Sequence, residues 1–153
     1  MRNVGLLLII GYILIIDKTN GLIEVFHHES FIITLDQCYT DPLSVDPSWL
    51  CLLHLTFAIG LVMASPVPET RESTIINRLL QEPTDRAEIF YANAKALCDP
   101  TTGFEDAGFW SIQALTLMSL YTLTISKRNA AYAYHGTRLF YLLNYFLVDA
   151  DEL

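Results

Sequence analysis

Between Phe104 and Leu147 the chain has no proline, and it offers apolar side chains at nearly every angle around a helix. The first half of this stretch, FEDAGFWSIQALTLMSLYTLTI, repeats its apolar residues at helical steps on two faces. Phe109, Ile112, Leu120 and Leu123 form one face, and Trp110, Ala114, Leu117 and Tyr121 the other. A helix apolar on most sides must be covered on most sides, which predicts a central helix. Glu105 and Asp106 at its start and Lys127–Arg128 just past its end have the signs that suit a helix dipole. A short break at Ser126–Asn129 then leads, with Asn129 as N-cap, into a second long helix, AAYAYHGTRLFYLLNYFL. Its small residues Ala130, Ala131, Ala133 and Gly136 predict close approach of its first half to a neighbour.

Upstream, the order of elements is readable from punctuation. Phe31, Leu35 and Cys38 share one face of a helix that ends before Asp41-Pro42. Asp46-Pro47 pairs an N-cap acceptor with a proline at N1, where a missing N–H costs little. Trp49, Leu52, Leu53, Thr56, Phe57, Gly60 and Leu61 then predict a buried helix, stopped near Ser65 by Pro66 and Pro68. Pro66–Arg71 reads as a loop, and Ile75, Ile76, Leu79 and Leu80 as a short helix closed by Glu82-Pro83. Asp85 and Glu88 form a capping pair for a helix with a narrower stripe of Ile89, Phe90, Ala94 and Leu97. The fold class is therefore all-α, an irregular multi-helix domain around a central apolar helix.

The residues that carry this pattern also resemble a known family. GFWSIQALTLMSLYTLTISKRNAAYAYHGTRLFYLL looks like the core helical pair of the regulatory, or middle homology, domain of fungal zinc-cluster transcription factors. Glu88–Leu97, Ser44–Ser65 and Glu29–Pro42 resemble the preceding helices of that domain in the same order, so the resemblance spans roughly residues 21 to 147. It implies a regulatory or interaction module involved in regulation of transcription, placed in the nucleus. The family binds zinc and DNA through a six-cysteine cluster that precedes this domain, and no residues here match that cluster. The family's zinc is thus expected only in a domain that this sequence does not contain, and no cofactor in this chain. The resemblance also implies a domain incomplete at both ends, since the family continues with further helices beyond Leu147. On that expectation the far side of the last helix, with Leu139, Phe140, Leu142, Leu143, Phe146 and Leu147, is left open. Without residues 1–20 the chain is then expected to self-associate or to bind a hydrophobic dye.

Residues 1–20 are the segment the resemblance does not cover. Met1-Arg2-Asn3 precedes an unbroken apolar run, Val4–Ile16, which has the pattern of a signal peptide but lacks a small-x-small cleavage site. The run is short for a membrane span, which takes about 20 residues. The chain closes on Asp151-Glu152-Leu153, three letters of a lumenal retention signal. The expected organisation is residues 1–20 as a signal-like, anchoring or mispredicted segment ahead of a partial regulatory domain at 21–153. The alternative function is a small membrane-associated or endoplasmic-reticulum protein anchored by residues 4–16, and membrane contact is expected only through them.

Composition narrows the chemistry. With 9 basic and 17 acidic residues, net −8, the chain lacks the clustered cations of a nucleic-acid surface, so no direct nucleic-acid contact is expected. Hydrophobic residues make up 52% and the mean hydropathy is +0.35, which points either to a core too large for the chain or to a membrane segment. The three cysteines, Cys38, Cys51 and Cys98, are far apart and without C-x-x-C spacing, which reads as reduced core thiols.

No catalytic, cofactor-binding or metal site emerges. His27-His28-Glu29 is the densest ligand-like cluster, but adjacent histidines point to different sides of any element, so it reads as a solvated turn. His54 and His135 read as hydrogen-bonded structural histidines. Ser111, Thr116 and Ser119 lack a nucleophile elbow and read as hydroxyls bonded to helix backbone. Gly103, Gly108 and Gly136 are isolated and form no phosphate loop. Tyr132, Tyr134, Tyr141 and Tyr145 read as core and interface packing, with a ligand-sensing cavity as a third functional class. The chain reads as no enzyme, with a protein partner or a second copy of itself expected on the helical surface.

Overall fold

The computed structural model describes residues 25–64, 68–101 and 108–150. They form six α-helices and one 3₁₀ turn, with no strand among the described residues. The helices are α1 (His28–Thr40), α2 (Pro47–Met63), α3 (Arg71–Leu80), α4 (Arg86–Leu97), α5 (Phe109–Thr124) and α6 (Arg128–Ala150); the 3₁₀ turn is Pro42–Ser44. The all-α class holds.

Most boundaries follow from side chains that satisfy orphan backbone donors. Asp46 accepts from the Ser48 N–H at 2.7 Å, with Pro47 at N1 of α2. Thr70 caps α3 through the Ser73 N–H at 3.1 Å, and Asp85 caps α4 through the Ala87 and Glu88 N–H groups. Glu88 itself makes no reciprocal bond in that cap; its place in the first turn suits the helix dipole. α1 begins at His28, so His28-Glu29 open a helix where the sequence suggested a turn. α6 begins at Arg128, one residue before the expected cap at Asn129, and the Ala131 N–H bonds the Lys127 carbonyl. Glu105 and Asp106, expected at the start of α5, lie outside the described residues, as do residues 1–20 and Asp151–Leu153.

The core is a row of packed helices. α2 lies between α4 and α5, and α5 between α2 and α6. α2 has ten buried residues, including Cys51, Leu55, Ala58 and Ile59 with no exposed surface. Phe57 stacks on Phe90 of α4 at 4.9 Å, while Phe31 of α1 meets Trp49 at 5.7 Å. α5 buries two sides. Ala114, Leu117, Met118 and Tyr121 face the main core, and Ile112 and Leu115 pack with Tyr141 of α6 in a second, smaller cluster.

That arrangement corrects the face assigned to α5. Ile112 is buried, but Phe109 and Leu123 are more than half exposed, and Leu120 is partly buried against the main core. Helix α6 runs antiparallel to α5. Ser119 Oγ donates to the Ala131 carbonyl at 3.1 Å near the break, and the Phe109 and Tyr145 rings lie 6.3 Å apart at the other end. Only Ala131 of the small residues is buried; Ala133 and Gly136 are exposed, and a Cβ on Gly136 would meet nothing within 4 Å.

Candidate functional site

The titratable and nucleophilic side chains do not converge on one place. His27 is exposed, with Nδ1 3.2 Å from Ser30 Oγ. His54 lies beside the stacked Phe57 and Phe90 rings, 6.3 and 5.6 Å from their centroids. Its Nδ1 is buried without a hydrogen-bond partner among the described residues, contrary to the hydrogen-bonded role expected. Burial holds its pKa below the ordinary 6.5. His135 is exposed on α6. Thr116 Oγ1 bonds the Ile112 carbonyl at 2.7 Å as expected for a helix hydroxyl, whereas Ser119 reaches across to α6 and Ser111 is buried. Cys51 is buried with Sγ donating to the Cys98 carbonyl at 3.2 Å. Burial, then the neighbouring Cys98 and Asp99, push its pKa up to about 12, the condition of an inert thiol. All three cysteines are free. Among the described residues no group of three His, Cys, Asp or Glu side chains stands together as a metal site.

The four tyrosines of α6 have separate surroundings. Tyr134 OH is 2.9 Å from Tyr91 OH, and Tyr91 stacks on Tyr121 at 4.5 Å, so this pair ties α4, α5 and α6 together. Tyr141 is buried and donates to the Pro100 carbonyl at 2.7 Å. Tyr145 lies beside Phe109, and Tyr132 is exposed. Two clefts of about 500 Å³ open elsewhere, one by Phe26, Phe31, Trp49 and Phe109, the other by Leu61, Leu79 and Asp85. None of the four tyrosines lines either cleft.

What the helices do assemble is a surface. Along α6, Leu139, Phe140, Leu143, Phe146 and Leu147 are exposed by 47% to 67%, although all are large and apolar. Their spacing places them on one broad face, whereas Tyr145, four positions after the buried Tyr141, lies on the side toward α5, beside the exposed Phe109. Scattered apolar residues on a surface are ordinary, but these five stand together on one helix face. The sequence named these α6 residues, but it placed Phe109 in the core.

Charge is segregated around the same surface. From Gly108 to Val148 there is no Asp or Glu, only Lys127, Arg128 and Arg138. Arg138 reaches Thr116 Oγ1 at 3.5 Å, and its Nε is buried without a partner among the described residues. The other acidic residues of the described segments lie on α1–α4 and the adjoining loops, apart from Asp149 at the end of α6. Gln113, which the sequence did not single out, joins the two regions: its amide donates to the Val25 carbonyl at 2.6 Å.

The described residues thus form an all-α module with an apolar face exposed along its last helix. The sequence matches the Fungal specific transcription factor domain over residues 16–139, and the chain belongs to that family. No curated protein and no solved structure matches it. The match ends inside α6, at the first residue of the exposed apolar stripe, and takes in little of the Val4–Ile16 run. No described helix is long and apolar enough to cross a membrane.

Proposed function

We propose that the chain is the regulatory and interaction module of a fungal transcription factor, working in the nucleus by binding a protein partner through the outer face of α6. The observation behind this reading is that a chain of this family exposes Leu139, Phe140, Leu143, Phe146 and Leu147 side by side. Such a stripe fits the apolar side of a partner helix, anchored by a few large side chains in a groove. The absence of carboxylates from Gly108 to Val148, together with Arg138 at the edge, favours a partner helix that brings acidic residues at its rim. Such rim charges tune encounter rate and selectivity more than affinity.

The test is a reporter assay with the full chain fused to an unrelated DNA-binding domain. The fusion should change output, and Leu143→Asp or Phe146→Asp should abolish the change while leaving helical content intact. A fusion whose output is indifferent to both substitutions would remove α6 from the mechanism.

A further inference from the structure

The cleft of about 500 Å³ between α1, α2 and α5 is built differently from the one beside α3. The latter is bordered by Glu82, Asp85 and Arg86 and has no aromatic ring in its lining. The former has Phe26, Phe31, Trp49 and Phe109 on its walls and no Asp, Glu, Lys or Arg. Helical spacing brings these walls together. Phe31 and Thr34 are three positions apart on α1, Trp49 and Leu52 three apart on α2, and Phe109 and Gln113 four apart on α5. Phe31, only 2% exposed, lies at the bottom, its ring 4.9 Å from that of Phe26 and 5.7 Å from that of Trp49.

Two polar groups of this cleft have hydrogen-bonding capacity left over. The Gln113 amide donates to the Val25 carbonyl at 2.6 Å, so its nitrogen is engaged while its oxygen, an acceptor, is not. The indole N–H of the half-buried Trp49 is a donor without a hydrogen-bond partner among the described residues. The side chains of Ser30 and Thr34 are already engaged on α1, Ser30 with His27 at 3.2 Å and Thr34 with the Ser30 carbonyl at 2.9 Å.

We propose that this cleft is a binding site for a neutral, flat, aromatic or heteroaromatic molecule that carries an acceptor beside a donor, as a primary amide or a lactam does. Each part of that description has its cause in the lining. The aromatic walls favour a ring, which gains offset or edge-on contacts there. A charged molecule would give up its hydration with no counter-ion on the walls. A purely apolar one would leave the Trp49 N–H and the Gln113 oxygen dry and unpaired, whereas an amide offers its carbonyl to the first and its N–H to the second. The volume lies within the roughly 300–1,000 Å³ of sites that hold small organic molecules.

The probe is benzamide, with benzoate and benzamidinium as charged counterparts of the same shape, each titrated into the full isotope-labelled chain. The indole N–H signal of Trp49, assigned by its loss in Trp49→Phe, is followed by nitrogen–proton NMR. Benzamide should shift it saturably with a Kd on the order of millimolar, and both ions should bind about ten-fold more weakly or worse. Thr34→Trp, which fills the cleft from α1, should abolish the shift at unchanged helical content; where it lowers helical content, Ser30→Trp takes its place. Gln113→Glu should reverse the order, so that benzamidinium binds more tightly than benzamide, an exchange that a general loosening of the fold does not produce. Leu143→Asp should leave all three affinities as they are, because no residue of α6 lines the cleft, so this site and the partner surface fail separately. An indole signal that benzamide does not move overturns the proposal, as does a shift that survives the filled cleft. So does a parent chain that binds either ion as tightly as benzamide, or an order of affinities that Gln113→Glu leaves unchanged.

Discussion

Single residues show where the fold accepts a local cost. The His54 imidazole is packed beside two stacked phenylalanine rings, and its Nδ1 is without a partner among the described residues. A buried polar atom of this kind costs about 1–3 kcal/mol. Because burial lowers its folded pKa, the unfolded chain binds the proton more readily. The contribution of neutral His54 to stability is thus fully present above its unfolded pKa, near 6.5, and is lost as pH falls through the window below it. His54→Leu should leave the melting temperature at pH 7.5 unchanged or raise it, and should flatten its decline between pH 6.5 and 5. An unaltered acid slope, followed by calorimetry across that window, would mean that His54 does not titrate on unfolding. The sequence showed that His54 lies in an apolar helix. It could not show that no acceptor approaches, because the neighbour from outside α2, Phe90 of α4, is more than thirty positions away.

Elements pose a different question, that of which face meets which neighbour. Helix α5 closes with Ser126 at φ 62°, where the Lys127 N–H bonds the Thr122 carbonyl at 2.8 Å and the Ser126 N–H bonds Leu123 at 3.0 Å. This left-handed cap is usually a glycine. Ser126→Gly should therefore raise stability by about 0.5–1 kcal/mol, and Ser126→Val should lower it, both readable in urea titrations. The break itself was legible from Ser126–Asn129, but its geometry was not, since serine gives no signal for a positive φ. Burial within α5 is graded: Leu117 has no exposed surface, whereas Leu120 is only partly buried. Leu117→Ala should cost roughly 2–5 kcal/mol, Leu120→Ala less, and Glu69→Ala, on an exposed loop residue, close to nothing. Equal thermal shifts for Leu117→Ala and Glu69→Ala would refute the packing of α5 between α2 and α6.

For the whole molecule, the functional question is what a family domain of this composition can bind. Net charge −8 and the scatter of Cys38, Cys51 and Cys98 predict that the purified chain retains no stoichiometric zinc through dialysis and shows no sequence-specific DNA binding. Metal analysis and a mobility-shift assay check this, and one equivalent of tightly held zinc would contradict it. The order of helices, the caps at Asp46 and Asp85, and the all-α class were determined by sequence alone, because caps and 3.6-residue periodicity act within a few residues of one another. An apolar residue, however, does not declare whether a neighbour will arrive to cover it. Ile112 and Phe109 are three positions apart in one uncharged helix, yet Ile112 is buried against Tyr141 and Phe109 stands more than half exposed beside Tyr145. That difference was decided only by the tertiary structure, through the antiparallel register of α6 on α5. The same register leaves Leu143 and Phe146 on the outer face, where the partner is proposed to bind.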